Sequence, residues 1–236
     1  MWSVERGNSL QNDLCPEWAD TLFFDPPWDN FAEPACGFDR FDSILAFTNA
    51  KRAGDMLRVL SPRHPSWVFI WDCVSSWYTR GQPLMRHKSC FWFGDLARWD
   101  HDGYFRPIDN PKRLVKNPRG SFIAGDSRGK RMSDLYAKPI TEMGRQRFES
   151  ISHSKPIEWI QYLIACTGAR GVFDPFAGSG ASVLAAHEVG VPALGVEVDP
   201  EALAIAQRNI ERIVAGGSVD HVREQADIFG GRGRWG

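Results

Sequence analysis

Asp25-Pro26-Pro27-Trp28 directly follows the apolar run Thr21-Leu22-Phe23-Phe24. Proline has no N–H for a sheet ladder, so Pro26 and Pro27 end any strand that reaches them. Taken alone, that is a strand-ending turn. The carboxylate and the large ring beside it also have the makings of a site mouth that faces something flat. A second stretch, residues 173–201, carries a different chemistry. An apolar run ends at Asp174, Gly178 and Gly180 let the backbone bend before a helix, and Glu197 closes the next apolar run 17 residues after Gly180. In dinucleotide sites an acid placed this way accepts hydrogen bonds from ribose hydroxyls. The third glycine of the dinucleotide fingerprint is Val183 here, which disfavours NAD, and there is no GxxxxGK[ST] phosphate loop. A nucleoside-bearing cofactor with little phosphate fits better, with S-adenosylmethionine as the candidate. The glycines alone could make a tight turn that binds nothing, and Glu197 weighs against that.

Charge adds a third feature. Between Arg106 and Arg147 there are eleven Lys or Arg against four acids, a net +7 in a chain whose total is −1. That asymmetry predicts one basic face on an otherwise acidic body, which suits a polyanion. A solvated loop with scattered charge is the plain alternative. The other bulk properties are those of an ordinary globular domain, at 236 residues, 43% apolar and 24% charged. That length suits one α/β domain with a sizeable core. No apolar run approaches the ~20 residues a membrane span needs, and "MWSVERGN" has no secretory pattern, so a cytoplasmic protein without a membrane partner is expected. The five cysteines contain no CxxC pair and read as reduced thiols, and the six histidines show no ligand spacing, so no metal is expected.

The elements that must position these residues follow from periodicity. "WSVERG" predicts a short strand, "DTLFFDPP" and "SWVFIWDC" buried strands, and "SILAFTNAKRAGDMLRVL" a helix from its stripe Ile44, Leu45, Phe47, Ala50, Ala53, Leu57 and Leu60. From about Ser76 to Glu149 the pattern dissolves into Gly, Pro, Arg and aromatics, as in an irregular insertion carrying function. Alternation then returns as helix, strand "GVFDPF", Gly-rich turn and helix, strand "PALGVEV", and a final helix with Asp199 as N-cap and Pro200 in its first turn. Strands alternating with helices predict a doubly wound, mostly parallel α/β sheet of Rossmann-like form. The expected divisions are residues 1–75 and 150–215 as two halves of one domain, 76–149 as the insertion, and 216–236 as a tail.

Five motifs in order, "ERGNSL", "DPPW", "SHSKP", "FAGSG" and "GVEVDPE", resemble the beta class of S-adenosylmethionine-dependent DNA amino-methyltransferases, which methylate adenine N6 or cytosine N4. The resemblance runs from about Arg6 to Ile210 and includes the permuted order, with the catalytic motif ahead of the cofactor turn. It implies that "LFFD" and "GVFD" are neighbouring central strands, so that their loops share one crevice. It makes Asp25, Pro26, Pro27 and Trp28 catalytic. The carboxylate and the Pro26 carbonyl would accept hydrogen bonds from the target amine, and Trp28 would stack on an extruded base. It places Asp174, Phe176, Gly178 and Gly180 at the methionine and ribose portion of the cofactor and Glu197 at the ribose hydroxyls. Lys155 and Pro156 fall near the methionine end, Asn8 and Ser9 near the adenine, and Asp25 borders the cofactor as well.

The basic segment would then hold DNA, through Lys112, Arg113, Lys116, Arg119, Arg128, Lys130 and Arg131. Most of these contacts would be to the backbone rather than to bases. Double-stranded DNA is the expected partner, with single-stranded DNA as a second form, a homodimer as the assembly, and a restriction-modification system as one setting. Within the class an acidic first position, Asp25, resembles the adenine-N6 enzymes, whereas the cytosine-N4 enzymes more often have Ser there. Cytosine-N4 methylation is the runner-up. RNA adenine methylation is disfavoured because enzymes of that kind lack the FAGSG turn, and an inactive DNA-binding homologue is disfavoured by the intact motifs.

Overall fold

A computed structural model describes residues 1–27, 31–77, 85–100, 105–106, 130–131, 135–137 and 155–215, of which 73–77, 85–86, 105–106, 130–131, 135 and 137 are described by their backbone. Among these, β1 (Trp2–Arg6), β2 (Thr21–Phe24), β3 (Ser43–Asn49), β4 (Trp67–Trp77), β5 (Met85–Phe93), β8 (Leu135–Ala137), β9 (Val172–Asp174) and β10 (Ala193–Glu197) form one eight-stranded sheet. Their order is β1-β10-β9-β2-β3-β5-β4-β8. All are parallel except β5, which runs against β3 and β4. A separate two-stranded ribbon pairs β6 (Phe105–Arg106) with β7 (Lys130–Arg131). The helices are α1 (Ala53–Val59), α2 (Ile157–Cys166), α3 (Ala181–Glu188) and α4 (Pro200–Val214).

The central strands are apolar on both faces, as parallel strands covered on both sides must be. Successive side chains alternate between two cores. Phe23, Leu45, Phe47, Cys90 and Trp92 join α2, α3 and α4 on one face. Leu22, Phe24, Ile44, Ala46, Phe91 and Phe93 meet Met56 and Leu60 of the α1 region, and Phe38 and Phe41, on the other. The doubly wound, mostly parallel arrangement is the one the alternating pattern predicts.

Two expectations are corrected. Residues 43–60 do not form one helix. Residues 43–49 are the fully buried strand β3, hydrogen-bonded between β2 and β5, and α1 starts only at Ala53. A strand buried on both faces loses the period-two signal, so its apolar residues can be counted as a helical stripe. The expected boundary after residue 75 falls inside β4, and β5, drawn from the segment expected to be an insertion, lies in the main sheet between β3 and β4.

The expected neighbourhood of "LFFD" and "GVFD" is present. Thr21 pairs with Val172 and Leu22 with Phe173 in parallel register. From β9 the chain crosses through α3 to β10 on one side, and from β2 it continues to β3 on the other. Strand order therefore reverses between β9 and β2, and the loops after them diverge and leave a crevice.

Candidate active site

Four parallel strands deliver their carboxyl ends to this crevice. Gly7, Asn8 and Ser9 follow β1, Asp25-Pro26-Pro27 follows β2, Asp174 ends β9 and Glu197 ends β10. Together with Phe23, Lys155, Ile160, Phe176 and Gly178 they line a cavity of about 530 Å³. Residues as far apart in sequence as Asn8 and Glu197 thus share one wall system because parallel strands all point the same way.

The Gly-rich turn is held by its own acid. Glu197 accepts from the Gly178 N–H at 2.7 Å through one carboxylate oxygen, and from Val198 and Asp199 N–H groups, each at 2.9 Å, through the other. Gly178 has φ 54° and Gly180 has φ 82°, left-handed values that disfavour a side chain. Gly180 is the N-cap of α3, and a Cβ there would meet the Ala206 Cβ of α4 at 3.3 Å. Buried Asn209 on α4 donates its side-chain amide to the Ser179 carbonyl at 3.0 Å, fastening the turn from behind.

Asp174 sits below the turn, fully buried, where its carboxylate accepts from the Phe176 N–H at 2.9 Å and from the Ser182 hydroxyl. Burial pushes its carboxyl up to about 7, with the Ser182 and Phe176 hydrogen bonds opposing and the Asp25 and Glu197 charges adding to the rise. Ser9, also buried, donates its hydroxyl to the Pro175 carbonyl at 2.8 Å, so the loop after β1 is tied to the loop after β9. Asn8 shapes its own loop, its side-chain oxygen accepting from the Leu10 N–H at 3.1 Å.

Asp25 and Lys155 meet as an ion pair, Nζ donating to Oδ2. Lys155 is buried while about a quarter of the Asp25 side chain is exposed. Pro156, the residue after Lys155, is the N-cap of α2, so the lysine enters the crevice from the start of that helix.

Of the residues expected at the site, Asn8, Ser9, Asp25, Pro26, Pro27, Lys155, Asp174, Phe176, Gly178 and Glu197 line the one cavity. Gly180 and Pro156 shape the adjoining backbone instead of lining it. Trp28 and the basic residues Lys112, Arg113, Lys116, Arg119 and Arg128 lie outside the described residues. Lys130 and Arg131 form β7, whose side chains are likewise outside them. Half of the lining residues were not named from the sequence, among them Phe23, Ile160 and Ser182. Phe23 and Ile160 read as plain core from their apolar runs, and Ser182 carries no motif signal beyond its place in the first turn of α3. Among the described residues no His, Cys, Asp and Glu group could hold a metal ion, and no helix is long and apolar enough to cross a membrane.

Solved structures that share this fold include DNA methyltransferases. PvuII DNA methyltransferase (cytosine-N4-specific) superimposes with a TM-score of 0.58 at 14% identity, covering 94% of this chain and 90% of that one. The M1.HpyAVI–SAM complex gives 0.55 at 16% identity, over 88% and 99%. TTHA0409 from Thermus thermophilus, a putative DNA modification methylase complexed with S-adenosyl-L-methionine, gives 0.53 at 16%, over 92% and 97%. At these identities the likeness is one of fold. No curated protein matches the chain. The model of the DNA methylase family matches residues 39–208, and the chain belongs to that family of N6/N4 amino-methyltransferases. The matched span begins downstream of Asp25, so the DPPW motif stands outside it.

Proposed function

We propose that the protein transfers a methyl group from S-adenosylmethionine to the N6 amine of an adenine flipped out of DNA. The observation that carries this reading is that Asp25 and Pro26 line the same cavity as Glu197 and the Gly178 turn, so an amine acceptor and a ribose acceptor face one space.

The cavity's chemistry fits the cofactor. Glu197 offers a carboxylate to ribose hydroxyls, Asp174 and Asp25 suit a cationic amine and a sulfonium, and Phe23, Phe176 and Ile160 supply apolar wall. When bound, S-adenosylmethionine supplies an activated methyl group: the amine lone pair becomes the N–C bond, the C–S electron pair stays on sulfur, and one N–H proton leaves to solvent. The protein's own part is positioning. An aromatic amine is a poor nucleophile because its lone pair is delocalised into the ring. The Asp25 carboxylate and the Pro26 carbonyl, accepting from its two N–H groups, favour a tetrahedral nitrogen whose lone pair stands out of the ring plane. The two prolines hold those acceptors at fixed φ. Trp28, by its place next to them in sequence, is assigned to stacking on the base, a contact worth ~1–3 kcal/mol. The basic segment from Lys112 to Arg131 is assigned to phosphates.

Adenine is preferred over cytosine because the first motif position is Asp25. Cytosine-N4 methylation is the alternative, the specificity of the structurally similar PvuII DNA methyltransferase. Nucleoside analysis of DNA from cells expressing the protein decides between them. N6-methyladenine above the background of cells lacking the gene is the expected result, and N4-methylcytosine in its place would transfer the assignment to the alternative.

A further inference from the structure

The structure assigns Lys155 as a positioning residue that orients Asp25 for the target amine, an inference that rests on the reading of Asp25 as the amine's acceptor. The resemblance puts Lys155 at the cofactor's methionine end. In the structure its ammonium donates to Oδ2 of Asp25, 130 residues away in sequence.

Three observations carry the assignment. Lys155 is only 5% exposed, and burying an ammonium is costly unless it is paired, so the contact with Asp25 is persistent and not a passing surface pair. Its surroundings hold it there. Nζ lies 5.6 Å from the centroid of the Phe47 ring, a cation–π contact, and Phe47 is itself buried in the core with Trp159 of α2. The backbone on each side is also set, by Pro156 at the start of α2 and by Pro26 after Asp25.

The consequence is geometric. An ammonium has donors only, so it meets Asp25 as an acceptor; it takes one of the roughly four lone-pair sites of the carboxylate, on Oδ2, and leaves those of Oδ1 open. With Oδ2 engaged by Lys155, Oδ1 is the oxygen assigned to the amine N–H. Lys155 thus selects one rotamer of the acceptor. Misplacement of a reacting group by about 1 Å can cost on the order of 100-fold in rate.

The test uses the full chain, unmethylated genomic DNA and labelled S-adenosylmethionine, comparing wild type, Lys155→Ala and the packing-conserving Lys155→Met. Cofactor affinity is measured by calorimetry and kcat at saturating cofactor. Both variants are expected to bind the cofactor within about threefold of wild type while kcat falls at least ~30-fold, the pattern of a lost transition-state interaction. Propylamine, a primary ammonium that can enter the space left in Lys155→Ala, is expected to restore kcat about tenfold, and propanol is not. If Lys155→Ala does not fold, the affinity and kcat of Lys155→Met decide. Unchanged kcat with weakened cofactor binding would return Lys155 to the cofactor site and overturn the assignment, as would a kcat loss that propylamine leaves unrelieved in folded Lys155→Ala. A wild-type chain that binds cofactor but methylates no DNA sinks the functional reading itself, whereas an active wild type beside an equally active Lys155→Ala sinks the role of Lys155 alone.

Discussion

Asp20 and Arg170 clamp the entry ends of β2 and β9. Oδ2 of Asp20 accepts from Arg170 Nε at 2.8 Å, and Oδ1 accepts from the Arg170 N–H at 3.0 Å and the Gly171 N–H at 3.2 Å. Arg98 adds a donor to Oδ2 at 3.0 Å. The two strands share only the pairs Thr21–Val172 and Leu22–Phe173 in register. This buried carboxylate therefore reinforces a short ladder from the end opposite the cavity, and the strands it joins carry Asp25 and Asp174 out at the other end.

Acid stability should report that clamp. Burial pushes the Asp20 carboxyl up, but the hydrogen bonds from Arg170, Thr21 and Arg98 outweigh it and hold the group below its ordinary value. A depressed acid stabilises the fold above its unfolded value of about 3.9 and loses that contribution as pH falls through the lower folded value. Asp20→Asn is expected to cost roughly 1–3 kcal/mol at neutral pH and to flatten the acid limb of stability against pH. Urea melts between pH 3 and pH 7 check both, and an unchanged acid limb would remove Asp20 from the account.

Asp174 works in the opposite sense. Its carboxyl is raised to about 7 by burial, so the folded state holds a proton that the unfolded chain has released. The stability it contributes is full below about pH 3.9 and is lost as pH rises through about 7. Asp174→Asn, a neutral replacement of the same shape, is expected to gain on wild type between pH 5 and pH 8. Paired melts at those two pH values measure the difference, and parallel curves would contradict it.

Substitution at Asp25 should separate chemistry from stability. Asp25→Asn is expected to lower methyl transfer by at least ~1,000-fold while cofactor affinity stays within about threefold. Asp25→Ala additionally leaves the Lys155 ammonium buried without this carboxylate. Breaking a fully buried pair costs about 3–5 kcal/mol, and with Asp25 a quarter exposed a loss of roughly 1–3 kcal/mol is expected. Turnover retained in Asp25→Asn would remove the carboxylate from the mechanism.

Gly180 tests the Gly-rich turn. Alanine there must adopt φ near 82° and bring its Cβ to 3.3 Å from that of Ala206. Gly180→Ala is expected to destabilise by about 1–2 kcal/mol and to weaken S-adenosylmethionine binding, because relief of either strain moves the turn. Denaturant melts and calorimetry read the two effects, and a variant as stable as wild type would show that the turn tolerates a side chain.

Features with local causes were legible in the chain. Pro26 and Pro27 end β2 because they cannot donate to a ladder. Asp199 caps α4, its carboxylate accepting from the Glu201 N–H at 2.9 Å with Pro200 in the first turn. Residues 43–49 were not legible. Ile44, Leu45 and Phe47 satisfy a helical count as well as a buried-strand count, and only hydrogen bonds to β2 and β5 separate the two.

The strand end at Asp25-Pro26-Pro27, the Gly-rich turn and the acid that follows it are thus legible in the sequence, since they depend on the conformational limits of proline and glycine or on spacing along a short stretch of chain. Tertiary structure bore out the neighbouring strands that the family resemblance implies, and it alone decided that β5 enters the main sheet in reverse and that Lys155 meets Asp25. Those facts depend on pairings between segments about 40 to 150 residues apart, for which a single sequence carries no local signal. The same amino acids at the same positions would read identically with Lys155 turned away from Asp25. Burial beside Phe47 and α2 is what turns its ammonium to the carboxylate.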